Sequence, residues 1–152
     1  MKILIDGDAC NKIDKIERIA KEHNNIECHI YCDTTRLLTS DYSEVHIIDK
    51  GRDNVDFAIV NNCIKNDLVI TNDVGLASLV LSKEARVINK YGFEITKHNV
   101  SLLLNSRYIK SRERRYRKQV KGGLVNEIYD KSKYCFGRTL VKIINETIRS
   151  EN

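Results

Sequence analysis

Proline is missing altogether from this 152-residue chain. Its absence removes one class of punctuation, so element boundaries rest on glycine, on small polar residues and on hydrophobic periodicity. Also missing is any Cys-x-x-Cys pair among the five cysteines, Cys10, Cys28, Cys32, Cys63 and Cys135. The odd count and the spacing argue against a disulfide framework or a zinc ribbon and for reduced, mostly buried thiols. No run approaches the roughly 18 consecutive apolar residues of a membrane span, so no membrane partner is expected. Asp6 and Asp8 interrupt the only apolar run near the start, so a signal peptide is not expected either, and the expected location is cytoplasmic. There is no internal repeat and no low-complexity tract.

What is present fits one globular unit over residues 1–152, with 41% hydrophobic side chains. The net charge of +5 is local in origin. Between Arg107 and Lys121 stand eight basic residues and one acid, Glu113, for +7, which leaves −2 on the rest of the chain. A concentrated basic segment suits a polyanionic partner, with a solvated basic surface as the plainer alternative.

Short apolar runs alternate with helical periodicity. Strands are expected at Lys2 to Ile5, Ile26 to Cys32, Val45 to Ile48, Leu68 to Thr71 and Arg86 to Ile88. Helices are expected at Asn11 to His23, at Asn54 to Lys65 with Val55, Ala58, Ile59 and Ile64 toward the core, and at Val74 to Leu81. A further short helix is expected around Arg36 to Leu38. This order predicts an α/β domain with a mainly parallel sheet. From residue 99 to residue 152 the pattern becomes a helical, partly basic extension, with Gly122-Gly123 as a hinge. Its last helix, Gly137 to Arg149, carries Leu140, Ile143, Ile144 and Ile148 at helical spacing and is expected to dock on the sheet domain.

Two strands end in aspartates: Ile3-Leu4-Ile5-Asp6-Gly7-Asp8 and Leu68-Val69-Ile70-Thr71-Asn72-Asp73. Open parallel sheets place their ligand sites at these strand ends. Converging carboxylates repel one another, and a hard divalent cation with oxygen ligands relieves the repulsion. Asp8, Asp53 and Asp73 each have a second reading as helix caps, with Asp56 at the third helical position behind Asp53. Asp6 has no such reading, because it ends a core strand before any helix begins and burying its charge without partners is costly. Thr71 and Asn72 either bind a phosphate oxygen, orient Asp73 or form an ordinary turn. Cys10 is read as a packing residue in preference to a nucleophile activated by a helix end. Cys28 and Cys32, with His46 as a third zinc ligand, are read as ordinary buried side chains.

The segment Asp6-Gly7-Asp8-Ala9-Cys10 resembles the Asp-Ala-Asp-Ala-Cys-Pro opening of the YaiI/YqxD family, grouped with the PIN-like domains. Gly51-Arg52-Asp53 with Asp56, and Asp67-Leu68-Val69-Ile70-Thr71-Asn72-Asp73 with Leu76-Ala77, are similar to that family's central pattern. Gly7 replaces its alanine, a harmless change where backbone approaches a ligand, and Asn11 replaces its proline. The resemblance implies a PIN-like three-layer α/β/α fold with strand order 3-2-1-4-5 and C-terminal helices. It also implies the chemistry of the wider group, metal-dependent ribonucleases. Carried over by position, the catalytic acids are Asp6, Asp56 and Asp73, and the ligands of Mg²⁺ or Mn²⁺ are drawn from Asp6, Asp8, Asp53, Asp56 and Asp73. The implied reaction is hydrolysis of a phosphodiester by a metal-activated water. The alternative is a non-catalytic nucleic-acid-binding or regulatory module. The expected partner is nucleic acid, single-stranded RNA first, held by Thr71, Asn72, Arg112, Arg114, Arg115, Arg117 and Lys118. A homodimer is an open option.

Overall fold

The structure, a computed structural model, describes residues 1–106 and 134–152. The basic segment with Arg112, Arg114, Arg115, Arg117 and Lys118, and the Gly122-Gly123 pair, lie outside the described residues. The elements follow in the order β1 (Ile3–Asp6), α1 (Ile13–Glu22), β2 (Cys28–Asp33), β3 (Glu44–Ile48), α2 (Asn54–Asn62), β4 (Leu68–Ile70), α3 (Val74–Ser82), β5 (Arg86–Ile88) and β6 (Glu94–Ile95). Residues 100–106 are helical, and the last helix is α4 (Phe136–Glu151). One six-stranded sheet runs β3-β2-β1-β4-β5-β6, parallel except for β6, which is antiparallel to β5. This is the expected α/β architecture with order 3-2-1-4-5, extended by one strand. None of the described helices is long and apolar enough to cross a membrane.

The pleat divides the core in two, because successive side chains on a strand point to opposite faces. Ile3, Ile5, Cys28, Ile30, Leu68, Ile70 and Ile88 face one way and are covered by Ile16, Ile19 and Ala20 of α1 and by Phe136, Leu140, Ile143 and Ile144 of α4. Leu4, Tyr31, Val69 and Val87 face the other way, under Ile59 of α2, Leu76, Ala77 and Val80 of α3, and Leu103. Burial on both faces is why β1 and β4 read as uninterrupted apolar runs rather than as alternation. Arg86 ties the layers at the β5 edge, pairing with Glu94 of β6 at 2.8 Å and with Glu146 of α4 at 2.9 Å.

Two expectations fail locally, and one strand appears unforeseen. No helix forms at Arg36 to Leu38; a turn does, with Thr35 N donating to Asp33 Oδ1 at 2.8 Å and Arg36 N to Asp33 O at 3.1 Å. A carboxylate that accepts the next free backbone N–H groups competes with helix formation. Helix α2 stops at Asn62, and Ile64 is 64% exposed and not in the core. The chain turns there because buried Asp67 accepts Ile64 N through Oδ2 at 3.0 Å and Lys2 N through Oδ1 at 2.9 Å. Strand β6 was not expected, and with two residues it is too short to show a period.

Docking of α4 is a packing claim with a measurable size. Ile143 is fully buried between α4 and the sheet, so Ile143→Ala is expected to cost about 2–5 kcal/mol in urea unfolding. An unchanged midpoint and slope would mean that α4 does not contribute to the core.

Candidate metal centre at the carboxyl end of the sheet

In a parallel sheet each connecting helix runs back against the strands, so helix N-termini gather where strands end. Here the N-termini of α2 and α3 come to the ends of β1 and β4. The β1–β4 register pairs Ile5 with Ile70 and brings the next residues, Asp6 and Thr71, side by side. Asp6 is 7% exposed, and its Oδ2 accepts the Thr71 hydroxyl at 2.8 Å. The Thr71 oxygen in turn accepts the Asp73 backbone N–H at 3.0 Å. Asp73 caps α3, its Oδ1 accepting Leu76 N at 3.1 Å. One buried hydroxyl thus joins the end of β1 to the start of α3.

Thr71 has a single O–H, and it is donated to Asp6, so the side chain is a bracket within the site and has no donor left for a phosphate. Asn72 is a strut in the same sense. Its Nδ2 lies 3.5 Å from Ala9 O, and its Oδ1 accepts Lys90 N at 3.1 Å, so the loops after β1 and β5 are tied through it.

The acids sense one another. Burial raises the Asp6 carboxyl above its ordinary range, the Thr71 hydrogen bond opposes this, and the charges of Asp8 and Asp73 add to the rise. Asp56, half-buried in the first turn of α2, is pushed up to about 6, first by burial and then by the charges of Asp73, Asp6 and Asp53. Asp6, Asp56 and Asp73 therefore share one electrostatic environment. Asp8 and Asp53 are exposed at its margin.

Of the capping readings, only that for Asp73 holds. The N-cap of α1 is Lys12, four residues beyond Asp8, so Asp8 does not cap it. Asp53 occupies the N-cap position of α2 but makes no side-chain cap, because its left-handed backbone (φ 60°) departs from the extended geometry a capping side chain needs. Asp8 and Asp53 are thus left without the structural duty that capping would have given them.

The site residues do not yet converge as ligands. Among the described residues, no three aspartates bring one carboxylate oxygen each within 4.8 Å of one another; His29, Glu44 and His46 alone form such a group. The donor chemistry of the aspartates nevertheless fits a hard cation, since all are oxygens and the charge of Asp73 raises the proton affinity of both Asp6 and Asp56. Gly7 has a packing reason: a Cβ there would stand 3.0 Å from Tyr31 O and 2.9 Å from Leu38 Cδ1.

The thiols play no part. Cys10 is buried in the core, and burial pushes its thiol up, against the direction an activating helix end would give. Cys28 lies on the α1 face of β2, whereas His46 pairs with Tyr31 on the opposite face, so the two cannot share a zinc ion. The partner of His46 is His29, Nδ1 to Nε2 at 3.0 Å, which sequence reading missed because the link appears only once the β2–β3 register is known.

Comparison with known proteins follows the same outline. Residues 4–146 match a family model described as "Uncharacterized BCR, YaiI/YqxD family". A UPF0178 protein of Clostridium kluyveri is 48% identical over 115 residues, 76% of this chain and 75% of its own. Another, from Lachnoclostridium phytofermentans, is 42% identical over 119 residues, 78% of this chain and 79% of its own. One from Clostridium perfringens is 40% identical over 122 residues, 80% and 81% of the two chains. No solved structure gives a significant match.

The raised carboxyls have a pH signature. Asp56 holds its proton up to about 6 in the folded state against an ordinary value of 3.8. The folded state then binds more protons across that window, so its stabilising contribution is full below 3.8 and is lost as pH rises through about 6. In metal-free buffer, Asp56→Asn is expected to flatten the fall in unfolding free energy over this range. A slope unchanged by the substitution would contradict the assignment, as would a carboxyl ¹³C titration of Asp56 near 4.

Proposed function

The chain belongs to the YaiI/YqxD family, and because that family is described as uncharacterised we propose a function from the site itself: a divalent-cation-dependent nuclease that hydrolyses phosphodiester bonds, in RNA by preference. The observation that carries this reading is that the Asp6 and Asp56 carboxyls at this end of the sheet are both raised, first by burial and then by neighbouring acids that for both include Asp73. Oxygen donors gathered in this way suit Mg²⁺ or Mn²⁺, and perturbed acids in one cluster are a mark of functional sites. Asp6 and Asp73 are the direct ligands in this proposal, and Asp56, Asp53 and Asp8 hold its outer waters or a second ion. When bound, the cation supplies a water of lowered pKa and neutralises charge growing on the phosphate oxygens.

The chain's own residues do the remaining work. Thr71 holds the Asp6 carboxylate in one orientation through its hydrogen bond. Asp56, whose carboxyl is raised by burial and by the charges of Asp73, Asp6 and Asp53, is the third catalytic acid of the proposal. The N-terminus of α3 beside Asp73 offers a positive dipole end to a phosphate. The basic segment, with Arg112, Arg114, Arg115, Arg117 and Lys118, is proposed to grip the nucleic-acid backbone. Single-stranded RNA is the proposed substrate.

A second reading, a nucleic-acid-binding module without catalysis, draws on one observation: among the described residues no three aspartates bring one carboxylate oxygen each within 4.8 Å of one another. A cleavage assay separates the two. The nuclease reading predicts Mn²⁺- or Mg²⁺-dependent cutting of single-stranded RNA, abolished by EDTA, with 5′-phosphate ends. It further predicts that Asp6→Asn loses cleavage by orders of magnitude with RNA binding retained, and that alanine at Arg114, Arg115 and Arg117 weakens binding and makes its salt dependence shallower. Binding without cleavage of any RNA or DNA, with every cation tried, would establish the module instead.

A further inference from the structure

Away from the aspartates, the β2–β3 edge of the sheet assembles a different set of donors. Strand register places His29 opposite Glu44, and Tyr31 opposite His46. Alternation then puts all four side chains on one face, shared with Leu4. His29 Nδ1 and His46 Nε2 face each other at 3.0 Å, and the Glu44 carboxylate stands 3.6 Å from His46 Nε2 and 3.7 Å from His29 Nδ1. Two ligands bonded to one tetrahedral cation at ~2.0–2.1 Å are about 3.3 Å apart. The triangle is already close to that spacing.

The rings are held in place. His46 stacks on Tyr31 with centroids 4.6 Å apart and on His29 at 5.3 Å. Both histidines are largely buried, 16% and 29% exposed, while Glu44 opens the group to solvent. Behind His29, the Glu27 carboxylate lies 3.8 Å from Nε2, the ring nitrogen turned away from the triangle. Facing lone pairs on two imidazoles need something between them, either a proton or a cation.

We propose that His29, Glu44 and His46 bind a borderline transition-metal cation, Zn²⁺ foremost, at a site separate from the aspartate pocket, with a fourth position open to water. Two nitrogens and one oxygen suit Zn²⁺ or Co²⁺, whereas Mg²⁺ and Ca²⁺ prefer oxygen throughout. Because its ligands come from two neighbouring strands, the ion clips edge strand β3 to the sheet.

The test uses the full chain carrying Cys135→Ser, since Cys135 is the exposed thiol among the cysteines. Co²⁺ is expected to give the intense visible bands of a tetrahedral site, and Zn²⁺ calorimetry is expected to show one ion per chain that excess Mg²⁺ does not displace. His29→Gln and His46→Gln should each weaken Zn²⁺ binding by about a hundredfold or more, while Asp6→Asn leaves it unchanged. In the chain with both histidines intact, Zn²⁺ should shift the imidazole ¹⁵N signals of His29 and His46, a readout that needs no folded variant. Undisturbed imidazole signals at saturating Zn²⁺ would overturn the proposal, as would loss of the site in Asp6→Asn.

Discussion

The hydroxyl of Thr71 is the joint on which the acidic end of the sheet depends. It donates to Asp6 at the end of β1 and accepts the backbone N–H of Asp73 at the start of α3, so two elements far apart in sequence are fixed through one atom. A buried hydroxyl with both its donor and an acceptor lone pair engaged is rigid, and a buried carboxylate without such a donor would be costly to keep. Asn72 performs the next tie outward, between the loops after β1 and β5. Thr71 and Asn72, between β4 and α3, thus brace the strand end and the loops around it.

The same end of the sheet stores electrostatic tension. Asp67, at the opposite end of β4, shows what a buried acid looks like when the fold satisfies it: two backbone N–H groups and the Lys2 ammonium at 4.0 Å. Asp6 has the Thr71 hydroxyl and the Asp8 backbone N–H to favour its carboxylate, against burial and the charges of Asp8 and Asp73. Helix N-termini offset part of that repulsion, since their partial positive charge favours nearby anions. The carboxyls of Asp6 and Asp56 are raised all the same, first by burial and then by the neighbouring acids. The proposed cation would relieve the part of that rise that comes from the acids.

Much of this was readable from residue order. The apolar runs of β1 and β4 read as the neighbouring buried strands they are, and the Val74 helix with its Asp73 cap formed as expected. What escaped depends on long-range geometry. Asp8 looked like a cap because helix α1 was expected to begin at Asn11, but it begins at Ile13. Ile64 looked like a core residue because its spacing continues the α2 pattern, yet Asp67 takes its backbone N–H and ends the helix first. His29 and His46 are 17 residues apart, and only the register between β2 and β3 reveals that they meet.

The central claim is that the acids after β1 and β4 form one cation site, and the thermal stability of the protein in Mn²⁺ tests it most directly. Binding to the folded state alone raises the melting temperature, with the logarithm of the ratio of cation concentration to Kd. Asp6→Asn and Asp73→Asn keep their local hydrogen bonds, since asparagine also accepts the Thr71 hydroxyl and also caps a helix. The account predicts a Mn²⁺-dependent rise in the unaltered chain that mostly disappears in each variant, with both variants at least as stable as the parent in EDTA. An equal rise in all three proteins would contradict it.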